Sequence, residues 1–307
     1  MSKTTKKIIV ILGPTSSGKS DIAIKLAREI NGEIISADSR QIYRGLDVGT
    51  GKVRGAWSVE RGAFISEGIP HYAIDIVSPR TEFNAAKFKK YADKIIADLL
   101  SRGKLPIICG GTGFWIKSIV DNVQYPEVKP DWQLRNQLRN KPAEELFLEL
   151  KKLDADRAET IDAKNPVRLI RAIEICKTLG HVPKSVGGNN YCPLQIGINL
   201  PQEELQENIR KRLEKRFSAG MIEEVKKLHF ENKISWKRLE SFGLGYFWIP
   251  KYLKGEIETE KELFEKIYQA EKDYAKRQMT WFRKDKRIKW MEKYPEIEKS
   301  AKGFLKK

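Results

Sequence analysis

Residues 13–20 read GPTSSGKS. Gly13, Gly18, Lys19 and Ser20 meet the G-x-x-x-x-G-K-[ST] spacing of a phosphate-binding loop. An apolar run, IIVIL at 8–12, precedes the loop, and an amphipathic pattern, KSDIAIKLAREI, follows it. In that context Gly13, Pro14, Thr15, Ser16, Ser17 and Gly18 form a cradle at a helix N-terminus. Its backbone N–H groups converge on phosphate oxygens where the helix dipole also favours an anion. Lys19 adds a mobile positive charge, and the Ser20 hydroxyl can ligate Mg²⁺. The ligand of such a loop is usually a nucleoside triphosphate, which would make the chain a kinase or an NTPase.

Two more short apolar runs end in residues able to do chemistry. Asp38 follows EIISA at 33–37, where it can bind metal through water, take a proton from a nucleophile, or cap the segment after it. Thr112, in CGGTGFW at 109–115, offers a hydroxyl to an anion beside two glycines, and the same residues would also make a tight strand-to-helix turn. In PQEELQENIRKRLEKRFSAG, Leu205, Ile209 and Leu213 form a stripe, and Arg212 and Arg216 fall within about 20° of Leu205 on a helix. Arginines on an apolar stripe need either an anion or a route to water. GTGK at 49–52 echoes part of a phosphate loop, but no strand precedes it, so it reads as a loop.

The elements that position these residues are legible around them. Runs at 8–12, 33–37, 105–109 and 194–200 predict parallel strands buried on both faces, with helices over 19–30 and 86–100 between them. Ile22, Leu26 and Ile30 make the inward stripe of the first helix; Phe88, Ile95 and Leu99 make that of the second. The fold class is therefore α/β, an open parallel sheet flanked by helices. Residues 125–193 change texture to charged helical sequence and predict an all-helical insertion in a core formed by 1–124 and 194–307. From 202 onward the chain reads mainly as helix.

Net charge is +17, from 58 Lys and Arg against 41 Asp and Glu, which suits a polyanionic partner. On a C-terminal helix, Lys276, Thr280, Arg283 and Arg287 would share one face, with Tyr274 and Trp281 seven apart on another. A basic face beside aromatics suits an RNA backbone with stacked bases, although a solvated face over a packed Trp has the same pattern. Cys109, Cys176 and Cys192 form no CxxC pair and predict reduced thiols without a zinc site. No apolar run approaches the roughly 20 residues that cross a bilayer, and IIVIL reads as a strand rather than a signal peptide.

Together, GPTSSGKS, ISADSRQIYRGLDVGTGK, GGTGFW, PVRLIRAIE, RF…G and AKRQMTWFRK resemble the tRNA dimethylallyltransferases, also called tRNA isopentenyltransferases, in order along nearly the whole chain. The resemblance implies a P-loop-type sheet core whose loop holds the diphosphate of dimethylallyl diphosphate rather than ATP, with Mg²⁺. It implies transfer of the dimethylallyl group to N6 of adenosine 37 in the tRNA anticodon stem-loop, gripped in part by the insertion. Carried over by residue, Asp38 would accept the amine proton, and Thr112 and Arg216 would bind the leaving group. Asp38, Ser39, Arg40, Gln41, Arg135, Val167, Arg168, Leu169, Ile170, Arg171, Gly243, Gly245, Lys276, Arg277, Gln278, Trp281 and Arg283 would contact tRNA. Phe247 departs from the basic or polar residue usual in the family, and 53–69 is a longer link than usual. The expected enzyme is a cytoplasmic monomer with no membrane and no obligate protein partner. Competing readings are a prenyltransferase of free AMP or ADP, a small-molecule kinase, and an RNA-binding protein with a vestigial loop.

Overall fold

The computed structural model describes residues 6–183, 188 and 190–306. The chain divides into two compact units, Met1–Asn122 with Asn189–Lys307, and Val123–Gly188.

The first unit is built on strands β1 (Lys7–Leu12), β2 (Gly32–Ser36), β3 (Ala56–Ser58), β4 (Ala63–Ser66), β5 (Ile69–Tyr72), β6 (Leu105–Gly110), β7 (Cys192–Ile198) and β8 (Lys289–Met291). They form one sheet in the order β3-β4-β5-β2-β6-β1-β7-β8. From β5 to β8 all neighbours are parallel. The pairs β3–β4 and β4–β5 are antiparallel, so the sheet is mixed, and the irregular link at 53–69 is its antiparallel margin. β1 lies near the centre, and Ile8 through Leu12 are all fully buried. Ile9 and Ile11 pack with Ile34, Ile107 and Ile196 against the helices of one face, while Ile8, Val10 and Leu12 point the other way by alternation.

Helices α1 (Lys19–Glu29), α2 (Ala85–Ser101) and α3 (Gly113–Val120) connect the early strands. α1 begins after Gly18, whose φ of 76° needs a glycine, and buries Ala23, Ile24, Leu26 and Ala27. α2 is capped by the Asn84 side chain, which accepts from the Lys87 N–H. Its buried stripe is Phe88, Ala92, Ile96 and Leu99, so Ile96 rather than Ile95 faces inward.

The second unit holds α4 (Trp132–Leu138), α5 (Ala143–Leu153), α6 (Ala155–Thr160) and α7 (Pro166–Leu179). Asn165 caps α7, Pro166 opens it and left-handed Gly180 closes it. Leu134, Leu146, Leu150, Leu169 and Ile173 form the core of this unit.

The C-terminal part contains α8 (Gln202–Ser218), α9 (Met221–Phe230), α10 (Trp236–Glu240), α11 (Gly245–Leu253), α12 (Glu260–Phe282) and α13 (Tyr294–Lys306). Thr259 caps α12 through the Glu262 N–H. α12 ends at Phe282, so Arg287 does not continue its basic face; Arg287 is tied to Asp285 and Asp121 beyond the helix end. No helix among the described residues is long and apolar enough to cross a membrane.

Candidate active site

Adjacent strands β2, β6 and β1 run parallel, so their carboxyl ends open at one edge of the sheet, where ligands of such folds sit. Loop 13–18 follows β1, Asp38 follows β2, and Gly110–Thr112 follow β6. Ala37 N–H donates to the Cys109 carbonyl at 2.7 Å and Thr112 N–H to the Ala37 carbonyl at 3.1 Å, which knits the last two ends together. A Cβ on Gly110 would lie 2.3 Å from the Ala37 oxygen, so only glycine permits this approach.

Asp38 Oδ1 accepts the N–H of Arg40 at 2.8 Å and of Gln41 at 3.4 Å. One oxygen thus caps the following turn, while no protein donor among the described residues reaches Oδ2. The turn is held further by Arg40 Nε on the Phe242 carbonyl at 2.6 Å and by Ser39 N–H on Thr112 Oγ1 at 3.0 Å. Thr112 Oγ1 thereby braces the Asp38 turn.

The phosphate loop is held from two sides. Lys19 Nζ donates to the Pro14 carbonyl at 3.0 Å, and Arg212 on α8 donates to Thr15 Oγ1 at 3.0 Å. The buried hydroxyls of Ser16 and Ser17 have no partner among the described residues. Arg212 also donates to the carbonyls of Gly51 (2.9 Å) and Thr50 (3.2 Å), and Arg216 to that of Gly49 (2.9 Å) and to Glu271 Oε1 (2.5 Å). The GTGK loop therefore serves as a carbonyl rack for two arginines. Glu224 fixes it from behind, accepting N–H groups of Asp47, Val48 and Gly49 at 2.8, 2.6 and 3.0 Å and the Tyr246 hydroxyl at 2.6 Å.

Both arginines of the sequence stripe turn inward, but they have different partners. Arg216 is 7% exposed and already bound to Glu271, whereas Arg212 is the one that touches the phosphate loop. Glu224, Glu271 and Arg212 hold this region together and were not singled out as site residues from the sequence; for Arg212 alone a signal existed.

Lys19, Arg212 and Arg216 meet in one place with Asp38 and Glu271 as counter-charges. Burial pushes the Lys19 ammonium below the ordinary lysine range; Arg212 acts in the same sense, while Cys109 and Asp38 oppose it. Arg212 is pushed down by burial and then by Arg216. Burial pushes the Cys109 thiol, on the β6 side of the loop, up to about 12. Burial, then Asp38, raises the Tyr274 phenol to about 12. An anion delivered here would relieve crowded, desolvated cations.

All of this surrounds one cavity of 980 Å³, reached by loop 15–20, Asp38–Gln41, Arg212, Arg216 and Arg277. Among the described residues no cluster of three or more His, Cys, Asp or Glu could hold a metal by itself. The Ser20 hydroxyl on this cavity suits a magnesium ion that keeps waters and substrate phosphates as its other ligands.

The residues expected to meet RNA separate into groups. Ser39, Arg40, Gln41, Gly243 and Arg277 line the cavity. Lys276, Trp281 and Arg283 are exposed at the end of α12. Gln278 also reaches the cavity but is buried, with both ends of its amide bound to protein. Gly245 is buried under Met221, whose Cε would lie 2.0 Å from a Cβ there. In the helical unit Val167 and Arg168 are exposed and Ile170 is half-buried, but Leu169 is a core residue. Arg135 and Arg171 both close on Glu174 while staying partly exposed.

Comparison with known proteins gives a consistent result. The family described as IPP transferase matches residues 41–285, and that described as isopentenyl transferase matches residues 6–59. The chain is 38% identical to tRNA dimethylallyltransferase 1 of Syntrophus aciditrophicus, across 98% of this chain and 99% of that protein. It is 41% identical to tRNA dimethylallyltransferase of Acetivibrio thermocellus, across 93% and 91%. Its structure is similar to that of the full-length tRNA isopentenylpyrophosphate transferase from Bacillus halodurans, with TM-score 0.71 and 31% identity over 98% of this chain and 97% of that one. A eukaryotic dimethylallyltransferase described as acting on tRNA aligns with TM-score 0.74 and 25% identity, over 91% and 70%.

Proposed function

This chain belongs to the IPP transferase family, the tRNA dimethylallyltransferases, and from that premise we propose that it transfers the dimethylallyl group of dimethylallyl diphosphate to N6 of adenosine 37 in a tRNA anticodon loop, releasing diphosphate. The observation that carries this reading is that the Asp38 carboxylate and the cations Lys19, Arg212 and Arg216 line one 980 Å³ cavity. A nucleophile needing a base and a leaving group needing positive charge would be served within the same space.

An exocyclic adenine amine is a weak nucleophile, and proton removal in the transition state helps it by about 10²–10⁴-fold. N6 attacks C1 of the allyl group; the C1–O bond breaks and its electrons leave with diphosphate; the N6 proton passes to Asp38 Oδ2. Oδ2 suits this task because Oδ1 is held by the Arg40 and Gln41 N–H groups. Lys19, Arg212 and the loop N–H groups neutralise negative charge as it grows on the diphosphate, in a site where water is scarce. Magnesium held by Ser20 and the diphosphate would supply further neutralisation. Cys109 stays a neutral thiol and takes no part.

The target base must leave its stack, at a cost of a few kcal/mol. Lys276, Arg277 and Arg283 offer phosphate contacts at the end of α12, and Trp281 an aromatic platform. In this reading the enzyme works as a cytoplasmic monomer.

The test is to incubate the protein with labelled dimethylallyl diphosphate and unmodified tRNA, AMP or no acceptor. Label on tRNA alone is expected. Label on AMP would instead indicate a free-nucleotide prenyltransferase, and ATP hydrolysis without prenyl transfer a kinase.

A further inference from the structure

Gln278 sits near the end of α12 and is only 6% exposed. Its Oε1 accepts the Thr15 N–H at 2.8 Å, and its Nε2 donates to the Gly111 carbonyl at 2.9 Å. Thr15 lies in the loop after β1 and Gly111 in the turn after β6, and these strands are parallel neighbours. One side-chain amide thus spans the two strand ends between which the phosphate loop is folded.

The surrounding glycines match this bridge. A Cβ on Gly111 would lie 2.2 Å from Gln278 Nε2, and a Cβ on Gly113 would lie 2.2 Å from the Trp281 ring. The two glycines of GGTGFW that sit two apart therefore receive two α12 side chains that sit one turn apart. Outward from the same turns point Lys276, Arg277 and Arg283.

The bridge also explains the shape of the loop. With its N–H taken by Gln278, Thr15 presents Oγ1 to Arg212. The next residue, Ser16, has φ 61°, a left-handed conformation that non-glycine residues rarely adopt. Such a residue persists when its flanks over-determine it. Here the flanks are Gln278 on Thr15 and Lys19 on the Pro14 carbonyl.

We propose that Gln278 is a positioning residue that holds Thr15 and Ser16 in the diphosphate-binding conformation and ties that conformation to the RNA-facing helix. The inference rests on the reading of the loop as a diphosphate seat.

The test measures inorganic diphosphate binding by calorimetry, tRNA binding by filter retention, and steady-state kinetics on the full chain. Gln278→Met removes both bonds at similar volume; Gly111→Ala displaces the amide without changing Gln278. Each should weaken diphosphate binding about tenfold and raise KM for the allylic diphosphate more than it lowers kcat, with tRNA affinity within about twofold of wild type. Because both variants break one contact, the double variant should be no weaker than the worse single one. If one variant does not fold, the other decides. Wild-type diphosphate affinity in the folded variants, additive losses, or a loss confined to tRNA binding would each overturn the proposal. A wild-type protein that binds no diphosphate would overturn the functional reading and this inference together.

Discussion

Two buried glutamates, each paired with arginine, have opposite surroundings. Glu174 in the helical unit is 1% exposed and saturated. Its Oε1 accepts Asp131 N–H at 2.6 Å and Arg135 Nε at 2.8 Å; its Oε2 accepts a second Arg135 nitrogen at 2.9 Å and one from Arg171. Glu271 in the sheet unit is 2% exposed and holds Arg216 through Oε1 alone. Among the described residues its Oε2 and the Arg216 Nε have no partner, and nearby Arg212 has backbone and hydroxyl oxygens but no carboxylate. A buried pair that uses every lone pair is architecture. The one left incomplete lies on the cavity, beside Arg212 and Lys19. Residue type does not distinguish the two; the number of partners does.

The contrast implies that residues around Glu271 can be changed at the expense of turnover, and Glu174 at the expense of folding. The largest effect should come from Asp38→Asn, which keeps an acceptor for the Arg40 N–H but cannot take a proton. Transfer should fall by about 10²–10⁴-fold, with melting temperature and tRNA affinity near wild type; ordinary turnover would remove Asp38 from the base role. Next, Arg212→Met should lower kcat/KM for dimethylallyl diphosphate by about 10²-fold while leaving thermal stability unchanged or improved, since it relieves crowding with Arg216 and Lys19. A large drop in stability would erase the distinction drawn between the two regions.

On the other side, Glu174→Gln should cost about 3 kcal/mol of stability and leave diphosphate binding intact. Burial alone would raise the Glu174 carboxyl, but hydrogen bonds from Arg135, Arg171 and Asp131 outweigh it and hold the group below its ordinary 4.5. Its folded value is depressed, so its stabilisation is fully present above 4.5 and is lost as pH falls below that value toward the folded one. Denaturant melts of wild type and Glu174→Gln should therefore converge at acid pH; parallel curves would refute the assignment. The smallest effect belongs to Arg283→Ala. It should weaken tRNA binding several-fold and reduce the salt slope of log affinity by about 1, with KM for the diphosphate unchanged.

What could be read from the chain follows the range of the forces involved. The phosphate loop was legible because its chemistry is local, with eight consecutive residues carrying the whole pattern. The central strands were legible because β1, β2, β6 and β7 are buried on both faces and read as continuous apolar runs. The strands AWS, AFIS, IPHY and KWM are three or four residues long and carry no periodicity to detect. α12 was extrapolated past Phe282 because helical spacing continues on paper, while Asp285 collects the Arg287 N–H and ends the pattern. The partners of Gln278 lie 263 and 167 positions away, and Glu224 caps a loop 175 positions upstream of it, so nothing local announces them. Leu169 and Arg171 show the matching limit of a motif. PVRLIRAIE marks a stretch, and only packing decides which side of α7 looks outward.

The sulfur of Cys109 sits against the Lys19 carbonyl at the root of the anion seat. Because its thiol ionises only near 12, almost no thiolate exists at neutral pH. Peroxide and alkylating reagents, which attack the thiolate, have little to react with there. The burial that keeps this thiol protonated thus also withholds it from the reagents that would otherwise modify the base of the seat.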